Sequence, residues 1–416
     1  VIRALQHKGW RTDGPAEEMA VARRQEAWAF VTSIAPDAKA LRFLLAEEEF
    51  LNLFVCTMAQ MSGGDQAPVW ALPCITPPSV LRNAAAEKDE QALPHYLQKS
   101  AKAAWQKPQP GPQLMRRLQR EKRAAMLALA EEKNINYLFE ASVGGGIPIL
   151  RPLQQCLAAN EIEEVFGILN GTTNYILTRM VRFGITFEAA LKEAQAMGYA
   201  EQDPTADVEG QDACRKICIL ADLAFGREVL PEQVPTEGIS GVTLRDVEIV
   251  EQAGWRVKLL GRAVRQADGS VCAYVAPHLV EEHHPIAAVE DVFNAVMVRG
   301  NAVGEVMFYG PGAGKLPTAS AVVADVIDAA QHRQQRRRIG WKAGGKEVCG
   351  GVAALSMRCY LRTKDDLGRV EALFPDCEIL SSQKGEVAFI TPKMPLETLR
   401  QCAEALQVCA KLCVLE

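Results

Sequence analysis

Residues 194–216 read A-Q-A-M-G-Y-A-E-Q-D-P-T-A-D-V-E-G-Q-D-A-C-R-K. Asp203-Pro204 has to turn, because a proline pushes the residue before it out of the helical region, and a helix is expected to begin near Asp207. Asp212 and Lys216 then stand four apart on one helical face. On an exposed helix such a pair is a solvated ion pair worth roughly a few tenths of a kcal/mol. Around it, however, lie Ala213, Cys214, Ile217, Cys218, Ile219 and Leu220, apolar nearly all round, which predicts a buried helix. A buried lysine needs a carboxylate partner or loses its proton. A lysine tuned in this way can give and take a proton, as carbonyl reduction requires when hydride reaches carbon and a proton must reach oxygen. Glu201, Asp203, Asp207 and Glu209 could hold the ammonium of an amino-acid substrate, and spacing alone goes no further.

Outward from this stretch the pattern alternates. Upstream, it predicts a helix over 124–133, a strand over 136–139, a glycine loop at 144–146 and a strand over 162–169. Helices are expected at 173–182, 186–197 and 208–225, then strands at 257–263, 271–277 and 295–299. Such a succession is an α+β domain with a substantial mixed sheet. After a basic tract at 333–338 and a Gly/Lys-rich segment at 340–346, a small unit is expected. It has a strand at 356–362, a helix at 367–374, a hairpin over 378–390 around Lys384-Gly385, a helix at 396–408 and a strand at 411–415. That order is the ferredoxin-like βαββαβ plan. The Arg run is short and lacks interleaved aromatics, so it reads as a hinge rather than a nucleic-acid arm. Residues 1 to about 120 show weak periodicity outside 41–45 and 50–58.

The 416 residues are 48% hydrophobic, enough for a real core, and the net charge of -5 is spread over mixed charges, which favours neither nucleic acid nor an anionic membrane. No signal core or membrane-length apolar run of about 18 residues is present, so the expected location is the cytoplasm. The 12 cysteines include no CxxC pair of zinc spacing and read as reduced core thiols. His283-His284 reads as a surface pair rather than a metal site, since neighbours point apart and no third ligand is near. The segment 310–315 lacks the full phosphate-loop spacing.

Ala194, Gly198, Tyr199, Ala200, Asp203, Pro204, Asp207, Val208, Gly210, Asp212 and Lys216 fall in register with a signature that resembles the homoserine dehydrogenases. Similar to the same family are E-A-S-V-G-G-G-I-P at 140–148, G-I-L-N-G-T-T-N-Y at 167–175, T-E-G-I at 236–239, Phe293-Asn294 and Y-G-P-G-A-G-K-L-P-T at 309–318. The resemblance runs from about residue 124 to about 330. It implies an NAD(P)-dependent oxidoreductase that interconverts L-homoserine and L-aspartate 4-semialdehyde, on the way to threonine, methionine and isoleucine. By the same resemblance Lys216 transfers the proton with Asp212 as its partner, and Glu201, Asp207, Gly198, Tyr199 and Thr172 bind substrate. Asn170, Gly171, Gly312 and Gly314 would lie at the cofactor, NADP or NAD, and a structural sodium ion would sit on Glu140, Val143, Gly145 and Ile147, mostly through backbone carbonyls. A homodimer or homotetramer is implied, and the C-terminal unit resembles an ACT domain with a possible threonine effector.

The expected division is 1–120 in the place of a Rossmann-type nucleotide-binding domain, 121–332 catalytic and dimerising, 333–352 linker, and 353–416 ACT-like. The first of these departs from the family. No G-x-G-x-x-G exists: the glycines before residue 120 are Gly9, Gly14, Gly63, Gly64 and Gly111. The Val-Thr-x-Asn-Lys segment expected ahead of Glu140 would fall near Arg116, and is absent. A shifted reading frame over 1 to about 120 would account for this, and Val1 where a start methionine would stand fits that reading. The proton-transfer half of a site would then be present without its hydride partner. The alternatives are a homologue that binds an amino acid but not NAD(P), and a fragment of a bifunctional aspartate kinase, for which too few residues precede Glu140. Preference between NADH and NADPH would be read in the aberrant region.

Overall fold

The computed structural model describes residues 50, 52–58, 76–106, 126–128, 130–132, 134–332, 355–383 and 385–415. Its contacts divide the chain into two units, Val1–Ile135 and Asn136–Glu416. In the first, residues 52–58 are helical, followed by α1 (Pro78–Glu87) and α2 (His95–Gln106). Leu53, Leu81, Leu97, Ala101 and Trp105 close a buried cluster, and the Trp105 indole donates to Thr57 Oγ1 at 3.2 Å. Of these three helical stretches, periodicity singles out only 50–58; α1 and α2 bury alanines, which carry little hydrophobic signal. No strand occurs among the described residues of this unit, where a Rossmann-type sheet was expected. Residues 41–45 and the neighbourhood of Arg116 lie outside the described residues.

The second unit is mixed α/β around one large sheet. After α3 (Leu150–Gln155) come β1 (Ile162–Ile168), α4 (Gly171–Phe183), α5 (Phe187–Ala196), α6 (Thr205–Val208), α7 (Gln211–Phe225) and α8 (Leu244–Gln252). Four strands follow, β2 (Trp255–Arg265), β3 (Val271–Glu281), β4 (Phe293–Gly300) and β5 (Gly304–Pro311), and then α9 (Lys315–Gln331). Alternate residues of β2 and β3, including Val257, Leu259, Val275 and Leu279, pack with Ile176 and Met180 of α4 and Ile217 and Leu220 of α7. The opposite residues Leu260 and Val280 join Phe166 and Ile168 under Ile286 and Val289. Burial on both faces is why these strands read as nearly continuous apolar runs. Among the described residues no helix is long and apolar enough to cross a membrane.

The C-terminal elements are β6 (Ser356–Met357), β7 (Cys359–Thr363), α10 (Leu367–Leu373), β8 (Glu378–Gln383), β9 (Glu386–Ile390), β10 (Met394–Pro395), α11 (Leu396–Glu404) and β11 (Val408–Val414). From β7 onward, leaving aside the short β10, they follow the expected βαββαβ order. Their sheet is continuous with the central one, in the order β5-β4-β1-β2-β3-β11-β7-β9-β8. The join is parallel, with Cys413 opposite His278. Beside it, buried Asp246 of α8 accepts from Arg362 Nε at 2.7 Å and from the Tyr360 hydroxyl at 2.9 Å.

Local expectations are corrected at three places, and one strand was unforeseen. Residues 136–139 pair with no strand. The helix expected at 208–225 starts instead at Gln211, because Gly210 at φ 75° separates α6 from α7. Segment 356–362 is broken between β6 and β7, and β5 had not been anticipated. The tracts at 333–338 and 340–346, and Lys384, lie outside the described residues.

Candidate active site

Helix α7 lies close on the sheet because Gly261 of β2 has no side chain: a Cβ there would stand 2.8 Å from Leu169 Cδ1 and 3.1 Å from Ile217 Cβ. That packing brings Lys216 to the end of β1. Its Nζ donates to Asp212 Oδ2 at 2.7 Å and to the Leu169 carbonyl at 2.8 Å, with the side chain 19% exposed. Asn170, the next residue, joins the group. Its amide oxygen caps α4 by accepting from Thr173 N at 2.9 Å, which turns its nitrogen toward two carboxylates, Asp207 Oδ1 at 2.7 Å and Asp212 Oδ2 at 2.9 Å. One lysine thus faces two carboxylates joined by one amide. Burial raises the Asp207 carboxyl above its ordinary range, as do the charges of Asp212 and Glu201, against the lowering effect of the Asn170 hydrogen bond and of Lys216.

Thr172 Oγ1 donates to the Tyr199 carbonyl at 2.6 Å, and the Tyr199 ring meets Tyr175 edge-on at 5.1 Å, so Thr172 and Tyr199 lie together at the start of α4. Gly198 makes the preceding turn at φ 76°. Glu201 is exposed, its carbonyl accepting from Gln195 Nε2 at 3.1 Å. Asp203 is engaged locally: it accepts from Thr205 N and Oγ1, which holds its carboxyl below the usual range. Gly171 approaches the backbone of Val292, whose oxygen would lie 2.7 Å from a Cβ.

The glycine loop and the segment at 310–314 touch each other. Gly146 N donates to the Pro311 carbonyl at 3.0 Å, and a Cβ on Gly145, at φ 51°, would stand 2.4 Å from Gly312 O. Gly314 precedes α9. The Glu140 carboxylate caps α3, accepting from Leu150 N at 2.8 Å and Arg151 N at 2.9 Å. Val143 and Ile147 are buried, and among the described residues no backbone N–H reaches the carbonyls of Val143, Gly145 or Ile147. No cluster of three or more His, Cys, Asp or Glu residues suited to a metal occurs among the described residues. His284 accepts from Ile286 N at 3.2 Å, and His283 is exposed.

Three participants fall within the family-like stretches but received no role from the sequence. The Leu169 carbonyl carries no sequence signal. Gly238 of the T-E-G-I stretch packs behind the carboxylate loop, where a Cβ would be 2.1 Å from Val208 O, and Ile239 N donates to that same oxygen at 2.8 Å. Asn294, at the head of β4, is buried with both amide atoms unpaired. Its signal was a polar residue leading an otherwise apolar strand.

The family described as Homoserine dehydrogenase matches residues 148–327. The chain is 51% identical over 203 residues to the homoserine dehydrogenase of Bacillus subtilis, covering 49% of this chain and 46% of that protein. It is 50% identical over 203 residues to that of Neisseria gonorrhoeae, again covering 49% and 46%. The chain therefore spans about half the length of the curated relatives it matches. Among solved structures, a homoserine dehydrogenase from Thiobacillus denitrificans aligns with TM-score 0.65 and 33% identity, covering 74% of this chain and 80% of that one. One from S. aureus aligns with TM-score 0.58 and 31% identity, covering 74% and 79%.

Proposed function

The chain belongs to the homoserine dehydrogenase family, and from that premise we propose that it interconverts L-homoserine and L-aspartate 4-semialdehyde with NADP or NAD. The observation that carries this reading is the Lys216 ammonium held between Asp212 and the Leu169 carbonyl, beside a second, half-buried carboxylate. NADP or NAD, when bound, accepts or supplies the hydride. Lys216 moves the hydroxyl proton at Nζ, and Asp212 fixes where that nitrogen stands. Asp207 and Glu201 meet the substrate ammonium, supplying the charge that the site has in excess, while Asn170 holds the two aspartates in place. Thr172, Gly198 and Tyr199 form the neighbouring wall.

On the cofactor side, Asn170 and Gly171 at the start of α4 and the glycines Gly312 and Gly314 are the groups that would hold the nicotinamide end. The bare backbone there and the unpaired Asn294 amide fit such a guest. The open carbonyls of Val143, Gly145 and Ile147 fit a hard cation such as sodium, with Glu140 bracing the loop through α3. We assign the C-terminal βαββαβ unit to the ACT type, with threonine as its effector, and expect a homodimer or homotetramer working in the cytoplasm in threonine, methionine and isoleucine synthesis.

A second reading, an amino-acid-binding homologue that does not take NAD(P), is favoured by one feature: the sequence of residues 1–120 contains no G-x-G-x-x-G for a pyrophosphate. Purified protein supplied with L-homoserine and NADP or NAD should form reduced cofactor, and Lys216→Ala should lower kcat by about 10²–10⁴-fold, the scale of a lost proton-transfer group. Homoserine binding without reduction of either dinucleotide would establish the second reading instead.

A further inference from the structure

Asn294 is 1% exposed, yet neither its amide nitrogen nor its amide oxygen has a hydrogen-bond partner; among the described residues no other buried side chain is left so. A buried amide with neither atom paired to protein loses hydrogen bonds with nothing in return, which folded proteins seldom tolerate without a functional reason. Its position suggests the reason. Ala295 of β4 pairs with Ile168 of β1, so Asn294 stands one residue further on, level with Leu169, whose carbonyl holds Lys216. On its other side it pairs with Gly310. Gly312 lies directly on the amide, where a Cβ would be 2.1 Å from Asn294 Cγ, and Gly312 itself abuts Gly145. The unpaired amide therefore sits where the proton-transfer lysine and the two glycine segments converge.

We propose that Asn294 is a positioning residue that receives the carboxamide of the nicotinamide ring, an assignment that rests on the dehydrogenase reading above. An amide side chain offers a donor and an acceptor side by side, and a carboxamide offers their complement, so two hydrogen bonds satisfy both atoms at once. A carboxylate would set oxygen against oxygen, and an ammonium would leave the Asn294 nitrogen unpaired, so neither charged end of the amino acid fits. Gly312 is needed because any side chain there would occupy the place of the amide. Held by its carboxamide, the ring is fixed in rotation, and so is the face it turns toward substrate.

The test compares the full chain with Asn294→Leu, which keeps the shape and removes the hydrogen-bonding atoms. Binding of NADPH and of its reduced 3-acetylpyridine analogue, which lacks the amide nitrogen, is followed by fluorescence, and melting is measured without ligand. The unaltered chain should prefer NADPH by about tenfold, the scale of one good hydrogen bond, and Asn294→Leu should bind both equally. Its Tm should be unchanged or higher, because the buried unpaired amide is gone. Asn294→Ser, a smaller change, should likewise lose the preference. A preference retained in both variants would overturn the assignment while leaving the cofactor reading intact. So would a Tm lowered by several degrees with the preference kept, the mark of an amide bound to buried water. No binding of either dinucleotide by the unaltered chain would overturn the cofactor reading, and this assignment with it.

Discussion

Asn170 is the joint of the site, since a single side chain caps α4 and holds Asp207 and Asp212 together. The two roles can be separated. Asn170→Ser keeps a capping oxygen and removes the bridging nitrogen, so stability should change by less than about 1 kcal/mol while KM for homoserine rises about tenfold. Equal losses in stability and KM would mean that the bridge is only structural. Asp207 gives a second prediction, from pH. Its carboxyl titrates higher in the fold than in the unfolded chain, chiefly because it is buried. The folded state then binds the extra proton, so stability falls as pH rises through the window between the unfolded and folded values, and the deficit is full above it. Asp207→Asn should therefore raise Tm at neutral pH, with the gain closing on acidification below the ordinary carboxylate range, as scanning calorimetry across pH would measure. A gain that persists there would point to a packing effect instead.

At the scale of elements, the contact between the glycine loop and the segment at 310–314 depends on residues without side chains. Gly145→Ala would place a Cβ against Gly312 O at a left-handed φ of 51°, so a loss of about 1–3 kcal/mol is expected in denaturant titration. An unchanged midpoint would show that the two segments are free to separate. Which elements could be read in advance follows the same logic of local against remote causes. The helices α4 and α5 are legible from their periodicity, although the caps that start them, Asn170 and Thr186, emerge only in the structure, and the pairing of Asp212 with Lys216 follows from spacing. The start of α7 differs from expectation because the turn at Asp203-Pro204 opens only the short α6, while Gly210 makes the break before α7. Strand β5 owes its form to pairing with β4, which no local pattern carries, and residues 136–139 have strand composition but no partner. Asn294 stood out in the sequence only as part of a motif, and its role was not legible, because its significance lies in what fails to touch it.

For the whole of Asn136–Glu416, the decisive feature is that the C-terminal unit extends the central sheet through β11 and β3. The βαββαβ order was legible, but this join was not, because two strands distant in sequence meet there. Asp246 beside it is fully buried and holds Arg362 and Tyr360, so Asp246→Ala strips the buried guanidinium of its buried carboxylate and leaves it only that of Glu386, at 2.9 Å. A loss of about 3–5 kcal/mol is expected, with the central and C-terminal parts still melting together. A separate early transition of the C-terminal part in calorimetry would contradict the shared sheet. Whether Lys216 serves hydride transfer from homoserine is read by supplying L-homoserine deuterated at its hydroxyl-bearing carbon, with NADP or NAD, and weighing the cofactor by mass spectrometry. The intact chain should form reduced cofactor carrying the deuterium, and Lys216→Ala should nearly abolish it. Unlabelled cofactor, or labelling indifferent to Lys216, would contradict that role.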